Sequence, residues 1–142
     1  MRALGIDFGT KTLGLAITDS NKKIASSLSN FTYGKNDLMA CVNKVKQIVN
    51  DYNNDIDVIV VGYPIYPSGD KSPTCLIIDK FKDLLHTHLP AISVVLEDER
   101  YTTLEATGEL KELGFKSSFI KKVKDKMSAV RILDSWLSHG KI

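Results

Sequence analysis

Cysteine and histidine are scarce in this sequence, which excludes several specialised classes of protein. The only two cysteines, Cys41 and Cys75, are far apart, with no CxxC pair and no cluster of histidines. Disulfide scaffolds and zinc fingers need more thiols at closer spacing, so we interpret both cysteines as reduced structural thiols. The three histidines, His86, His88 and His139, fit no ligand spacing and are assigned no function.

Long apolar runs and a strong net charge are also missing. The apolar N-terminal segment is interrupted by Asp7 and two glycines and has no small-residue cleavage site, so we expect neither a signal peptide nor a membrane helix. A cytoplasmic protein with no membrane partner is therefore expected. The formal net charge is only +2 at pH 7, so overall charge does not indicate a nucleic-acid binder.

Size and composition are those of an ordinary globular protein. Hydrophobic residues make up 43% of the chain and charged residues 25%, close to the averages for such proteins. A chain of 142 residues can bury one core but is too short for two lobes. We expect a single domain over residues 1–142.

Positive charge is concentrated near the C-terminal end of the chain. Seven basic residues follow Leu113, against two acidic ones. Such an excess fits either a solvated helix face or a surface that binds phosphates. The basic residues are Lys116, Lys121, Lys122, Lys124, Lys126, Arg131 and Lys141, and the acidic ones are Asp125 and Asp134.

The N-terminal third has the pattern of an antiparallel meander. Residues 3–8, 13–18 and 24–33 predict three short strands joined by short turns. After Gly34 the apolar period changes to about 3.6, which predicts a helix with Asn36 as a plausible N-cap.

Alternating strands and helices follow. The β-branched run 58–61 predicts a strand buried on both faces, and residues 76–85 predict a helix that the HTH sequence at 86–88 ends. Residues 92–96 predict a further strand. A short helix from Thr102 to Gly114 and a last helix from Ser117 or Ser118 complete the chain.

Together these elements predict an α/β fold in which a five-stranded mixed sheet has helices on both faces. Three strands would be antiparallel, and the later ones would form parallel βαβ units. Ligands of such sheets bind outside the carboxyl ends of the strands. Asp7, at the end of the first strand, and Glu99, just past the last one, both fall in that region.

Three acidic residues are candidates for one site. Asp7 interrupts an apolar strand, and burying a carboxylate there costs several kcal/mol unless a cation or donors compensate. Glu99 lies in the EDER stretch, which also fits a solvated loop. Asp125 shares a helical stripe with Ala129, Ile132 and Trp136, so it should point toward the sheet.

Carboxylates converging from two strand ends and a helix suit Mg²⁺, and Mn²⁺ can substitute for it. A pair of such ions can activate water and stabilise the leaving 3′-oxygen in phosphodiester hydrolysis. The lysines beside Asp125, including Lys122 and Lys126, would then bind backbone phosphates. These residues predict a metal-dependent nuclease with nucleic acid as its partner.

The opening stretch GIDFGTKTLGLA has a second interpretation, as a hairpin that wraps ATP phosphates in actin-like and sugar-kinase-like ATPases. Those enzymes close two lobes around the nucleotide and need a second phosphate loop. This sequence has no second DxG-type hairpin, and its 142 residues leave no room for another lobe. The ATP-binding interpretation remains an alternative from a different class of protein.

Four blocks of the sequence, taken together, resemble the YqgF/RuvX family of the ribonuclease H-like superfamily over almost the whole chain. Members of this family are described as Holliday-junction resolvase-like proteins and as pre-16S rRNA nucleases. The blocks are GIDFGTKTLGLA at 5–16, VGYP at 61–64 with Gly69 after it, DERYTTLEA at 98–106 and DKMSAVRIL at 125–133.

The resemblance implies roles for individual residues. Asp7 corresponds to the first-strand metal-binding aspartate, Glu99 to the acid of the DER motif and Asp125 to the acid of the last helix. The sequence departs from the family at Thr12, where arginine is usual after Lys11. The resemblance further implies that Gly62 and Pro64 shape the loop beside the site and that Arg100 and Thr103 hold Glu99 or reach phosphate. Lys11 or Lys71 would supply the phosphate contact missing at Thr12, in addition to Lys122 and Lys126. Gly9 and Asp98 are further supporting candidates.

The resemblance favours cleavage of structured RNA in 5′-end maturation of pre-16S rRNA, and resolution of branched DNA junctions is the alternative. Both substrates offer the same phosphodiester, and RNA is distinguished through 2′-hydroxyl contacts that a sequence does not reveal. Symmetric cutting of a junction needs a dimer, and the sequence leaves monomer and homodimer open. A non-catalytic RNA-binding module is a further alternative, against which the presence of all three acids counts.

Overall fold

The computed structural model describes residues 1–9, 11–98 and 117–139, and within the last helix it describes the side chains of 127–138. In chain order the elements are β1 (Arg2–Phe8), β2 (Thr12–Thr18), β3 (Ala25–Thr32), α1 (Leu38–Asp51), β4 (Ile56–Tyr63), α2 (Thr74–His88), β5 (Ser93–Asp98) and α3 (Ser117–His139). The helix predicted between Thr102 and Gly114 lies outside the described residues.

The strands form one five-stranded mixed sheet in the order β3-β2-β1-β4-β5. β1 pairs antiparallel with β2, and β2 with β3, because short turns connect them. β4 pairs parallel with β1 and with β5, as expected of strands joined through helices. The predicted mixed sheet is confirmed.

Side chains alternate between two cores, one on each face of the sheet. Leu4, Ile6 and Val61 belong to the core on the face covered by α1 and α2. Ala3 and Val60 belong to the core beneath α3. The chain therefore has helices on both faces, as predicted. Both cysteines are free thiols buried in the first of these cores.

The first turn of α1 corrects one expectation. Asp37, not Asn36, is the N-cap, and its carboxylate accepts a hydrogen bond from the backbone N–H of Ala40 at 3.1 Å. Asn36 has a φ of 65°, in the left-handed region. Asparagine tolerates that region better than other residues with a side chain, so Asn36 forms the turn and the next residue caps the helix.

The other helix boundaries agree with the sequence. α2 ends at His88, with His86 and His88 in its last turn, and α3 begins at Ser117. The predicted stripe on α3 is confirmed for Ala129, Ile132 and Trp136, which are all buried. Within the described part of the chain, no helix combines the length and the apolar character needed to cross a membrane.

α3 lies unusually close to β1, because Gly5 has no side chain. A Cβ atom at Gly5 would be 2.5 Å from Cγ of Leu133 and 3.0 Å from the backbone oxygen of Ala129. A residue with a side chain at this position would displace Leu133 or the helix backbone. Gly5 therefore sets the distance between α3 and the strand that carries Asp7.

Candidate functional site

Asp7 is the centre of a row of residues that crosses the sheet. It pairs with Gly14 of β2, which pairs in turn with Asn30 of β3. On the other side Ile6 pairs with Val61, so the same register sets Gly62 beside Asp7, and Gly62 pairs with Glu97 of β5. Strand alternation directs this whole row toward the face that α3 covers.

The absence of a side chain at Gly14 leaves space beside the carboxylate of Asp7. A depression of about 320 Å³ is lined, among the described residues, by Asp7, Thr12, Gly14 and Asn30. A Cβ atom at Gly14 would lie 3.3 Å from Cβ of Asp7 and 3.6 Å from Oδ1 of Asn30. A larger residue at Gly14 would therefore fill the space in which an ion or a phosphate could approach Asp7.

Tyr33 holds the turn that follows Asp7. Its hydroxyl donates a hydrogen bond to the backbone oxygen of Gly9. Its backbone N–H donates a second hydrogen bond to the backbone oxygen of Lys11 at 3.0 Å. The N–H of Gly9 donates to the backbone oxygen of Thr12 at 2.9 Å. Burial, with a smaller contribution from Cys41, raises the pKa of Tyr33 to about 12, so the hydroxyl remains a donor at neutral pH.

Glu97 is the functional candidate that the sequence did not reveal. Its side chain is only 6% exposed, and Oε1 accepts a hydrogen bond from Oγ of Ser135 on α3 at 2.9 Å. It stands in the row of Asp7, on the same face, with Gly62 between them. Alternation from Val95, which packs against the core beneath α3, would have indicated this face, had the strand been extended to Asp98.

Asp98 and Lys71 lie apart from the face of Asp7. Asp98 pairs with Tyr63, and alternation directs it toward the α1 and α2 face. Nζ of Lys71 is 5.5 Å from the centre of the Tyr63 ring, whose hydroxyl donates to Oδ1 of Asp79 at 3.0 Å. A hydrogen bond from Lys71 to Tyr63, with the negative charge of Asp79, raises the pKa of Lys71. Its role in substrate binding stays a prediction.

Three further predicted residues, Lys11, Gly62 and Pro64, lie in or close to the loops at this edge of the sheet. Lys11 is exposed in the turn between β1 and β2. Gly62 belongs to the row described above. Pro64 follows β4, and its backbone oxygen accepts hydrogen bonds from Sγ of Cys75 at 3.5 Å and from the N–H of Ser72 at 3.4 Å. Those bonds attach the loop after β4 to the start of α2.

Several predicted residues are beyond what the structure describes. Glu99, Arg100 and Thr103 lie outside the described residues, and α3 is described at Asp125, Lys122 and Lys126 only as backbone. Among the described side chains, no three of His, Cys, Asp and Glu converge as a metal site. The joint site of Asp7, Glu99 and Asp125 stays a prediction.

The backbone nevertheless limits where Asp125 can be. It lies one helical turn before Ala129, whose backbone oxygen is next to Gly5. Along their own elements, Asp125 and Asp7 are each about 6–7 Å from that contact. The proximity of Asp125 to Asp7 itself stays a prediction.

Strand order and two helical layers define the fold as ribonuclease H-like. The structure is similar to RuvC of Thermus thermophilus in complex with a Holliday junction substrate. The TM-score is 0.54 at 12% identity, over 98% of this chain and 92% of that chain. At that identity the likeness shows the fold alone.

Residues 1–139 match the RuvX family, described as Holliday junction resolvase, and the chain belongs to that family. A protein of Ureaplasma parvum serovar 3 named "Putative pre-16S rRNA nuclease" is 47% identical, over 97% of both chains. A protein of the same name from Mycoplasmopsis pulmonis is 34% identical, over 98% of this chain and 94% of the relative. The resemblance seen in the four sequence blocks is confirmed.

The burial of Tyr33 and Cys41 predicts a loss of stability at alkaline pH. Burial raises the pKa of Tyr33 from 10.0 to about 12 and the pKa of Cys41 from 9.0 to about 11. Between each pair of values the unfolded chain releases a proton that the folded chain keeps, so the free energy of unfolding falls as pH rises. We expect urea titrations to show this fall beginning near pH 9.

Two variants separate the contributions. Tyr33→Phe should flatten the part of the pH profile above pH 10, and Cys41→Ala should flatten the part that begins at pH 9. An unchanged slope in Tyr33→Phe above pH 10 would contradict the assignment of that part to the Tyr33 hydroxyl.

The contact between Glu97 and Ser135 predicts a cost for losing the hydroxyl. A hydrogen bond to a charged group contributes about 1.5–3 kcal/mol, so Ser135→Ala should lower the free energy of unfolding by about that amount. Ser138→Ala is the matched control, because Ser138 is exposed on the same helix and donates only to the backbone oxygen of Ser135. Equal effects in the two variants would exclude a special role for the Glu97 contact.

Proposed function

We propose that this protein is a metal-dependent endonuclease that hydrolyses phosphodiester bonds of structured RNA, in the 5′-end maturation of pre-16S rRNA. The observation that carries the proposal is Asp7, which stands between two glycines at the carboxyl end of β1 in a member of the RuvX family. The names of the curated relatives support the choice of substrate. Such a substrate implies a cytoplasmic protein.

The surroundings of Asp7 suit a hard divalent cation. Its carboxylate oxygens are ligands that Mg²⁺ and Mn²⁺ prefer, and the absent side chain of Gly14 leaves room for an ion with its waters. Asp7, Glu99 and Asp125 would hold the metal. When bound, the metal supplies Lewis-acid activation of water and of the scissile phosphate.

The protein's own residues would bind and orient the substrate. Lys11, Lys71 and Arg100, with Lys122 and Lys126 of α3, would contact backbone phosphates, which position the strand without reading its sequence. Tyr33 holds the turn of Lys11 through two hydrogen bonds. The position of Lys11 relative to Asp7 would therefore be set before substrate arrives, which lowers the entropic cost of alignment.

Cleavage of branched DNA is the second candidate. The description of the RuvX family as Holliday junction resolvase favours it. Because resolution cuts two strands symmetrically, this function would require a homodimer, whereas cleavage of an RNA end needs only a monomer. ATP hydrolysis and RNA binding without cleavage remain as alternatives from other classes, and family membership counts against both.

Replacement of Asp7 tests the proposal directly. A precursor rRNA fragment and a four-way DNA junction are each incubated with Mg²⁺ or Mn²⁺. We expect the wild type to cleave the RNA and Asp7→Asn to be slower by at least about 100-fold, since even outer-shell partners of a metal are worth 10–100-fold. Asp70→Asn, in an exposed loop, should cleave at the wild-type rate.

The outcomes separate the candidates. Undiminished cleavage by Asp7→Asn would refute the role of the aspartate. Cleavage of the junction alone would identify the DNA resolvase, and ATP hydrolysis without nucleic acid would identify the ATP-binding alternative.

Thr12 predicts a gain of affinity on substitution. It lines the depression beside Asp7, at the position where the family usually has arginine. Thr12→Arg should add one phosphate contact, so binding of an RNA oligonucleotide should tighten and its dependence on log salt should steepen by about 0.7. Thr12→Gln controls for side-chain size, and an equal gain in that variant would exclude a charge effect.

A further inference from the structure

A small apolar cavity lies on the opposite side of β1 from the depression at Asp7. Its volume is about 140 Å³, and its walls include Phe8, Tyr33, Leu38 and Ile77. Phe8 directly follows Asp7, and adjacent residues of a strand point to opposite faces of the sheet. The two concavities therefore flank the same end of the same strand.

The size and lining of this cavity suit one flat aromatic ring. An apolar cavity of about 150 Å³ is large enough to bind benzene. The rings of Phe8 and Tyr33 are 5.9 Å apart at an angle of 44°, and the Tyr33 hydroxyl is directed away, to the backbone oxygen of Gly9. Two aromatic side chains are thus available for contact with the faces or edges of a bound ring.

Positive charge lies at part of the cavity rim. Lys35 and Thr74 belong to its lining, and the lysine is exposed. α2 begins at Thr74, which also lines the cavity, and no side chain caps this helix, so the positive end of its dipole faces this region. The start of α1 is capped by the carboxylate of Asp37. An aromatic ring attached to a phosphate backbone matches an apolar cavity with a positive rim.

We propose that this cavity receives an unpaired pyrimidine base of the nucleic acid whose backbone reaches Asp7. The inference rests on the proposed nuclease function and specifies its substrate. A strand crossing the carboxyl edge of the sheet presents its phosphates to the depression at Asp7 and one base to the cavity across β1. A base can enter only when it is not stacked in a duplex, so the substrate is single-stranded beside the cleaved bond.

Binding of modified oligonucleotides tests the proposal. Asp7→Asn is titrated with a uridine-rich single-stranded RNA in which each nucleotide in turn is abasic. Stacking on protein aromatic groups contributes enough affinity that the abasic substitution should weaken binding about tenfold at one position and little elsewhere. Adenine at that position should bind more weakly than uracil, because its second ring exceeds the cavity.

A pair of variants on α2 locates the effect. Ile77 is 38% exposed and lines the cavity, whereas the neighbouring Leu76 is 68% exposed and does not. In the Asp7→Asn background, Ile77→Glu should abolish the difference between intact and abasic RNA, and Leu76→Glu should preserve it. Ile77→Ala, the milder change, should reduce the difference in affinity between intact and abasic RNA. It replaces Ile77→Glu in the test if the glutamate variant fails to fold.

The outcomes distinguish this proposal from the proposed function. RNA binding and wild-type cleavage with no position sensitive to base removal would overturn the cavity alone. A sensitive position that persists in Ile77→Glu and Ile77→Ala would place the base elsewhere and overturn it as well. Absence of both binding and cleavage by the wild type would overturn the nuclease function and this inference together.

Discussion

The close packing of α3 against β1 is the constraint on which the site depends. At Gly5 the helix comes so near that a Cβ atom would be 2.5 Å from Cγ of Leu133, so any larger residue there would displace Leu133 or the helix. The same face then lacks side chains at Gly14 and Gly62, on either side of Asp7. Gly5 lets α3 pack closely on the sheet, whereas Gly14, in the row of Asp7, lines the depression beside the carboxylate. The core and the candidate site therefore lie within two residues of each other along β1.

Two polar side chains buried in this part of the molecule have hydrogen-bond partners that offset the cost of their burial. Glu97 is almost completely buried, and its position is sustainable because Ser135 donates to it from α3 and because hydrogen bonds offset part of the cost of burying charge. Tyr33 likewise places its polar hydroxyl on the backbone of the turn after Asp7. Both side chains connect separate elements to the region of Asp7, which gives the candidate site a rigid support.

Local pattern was sufficient to predict most elements and to place Asp7 at the end of β1. Alternation, helical periodicity and turn residues predicted the mixed sheet and the start of α3, because these signals arise between neighbours in sequence. The N-cap of α1 was assigned to the wrong residue, since asparagine and aspartate both cap helices and only the backbone angle of Asn36 separates them. Glu97 was missed because the acidic run EDER offers three acids, and which one is buried depends on where the strand stops.

The sequence by itself determined the elements, the family and the acidic residues available for chemistry, because spacing and residue type are local properties of the chain. Only the tertiary structure decided which residues share a face and a row. Asp7 stands across from Gly62 and Glu97 because β4 pairs between β1 and β5, and that order follows from which faces α1, α2 and α3 bury. Long-range packing sets it, and no short stretch of sequence carries that information.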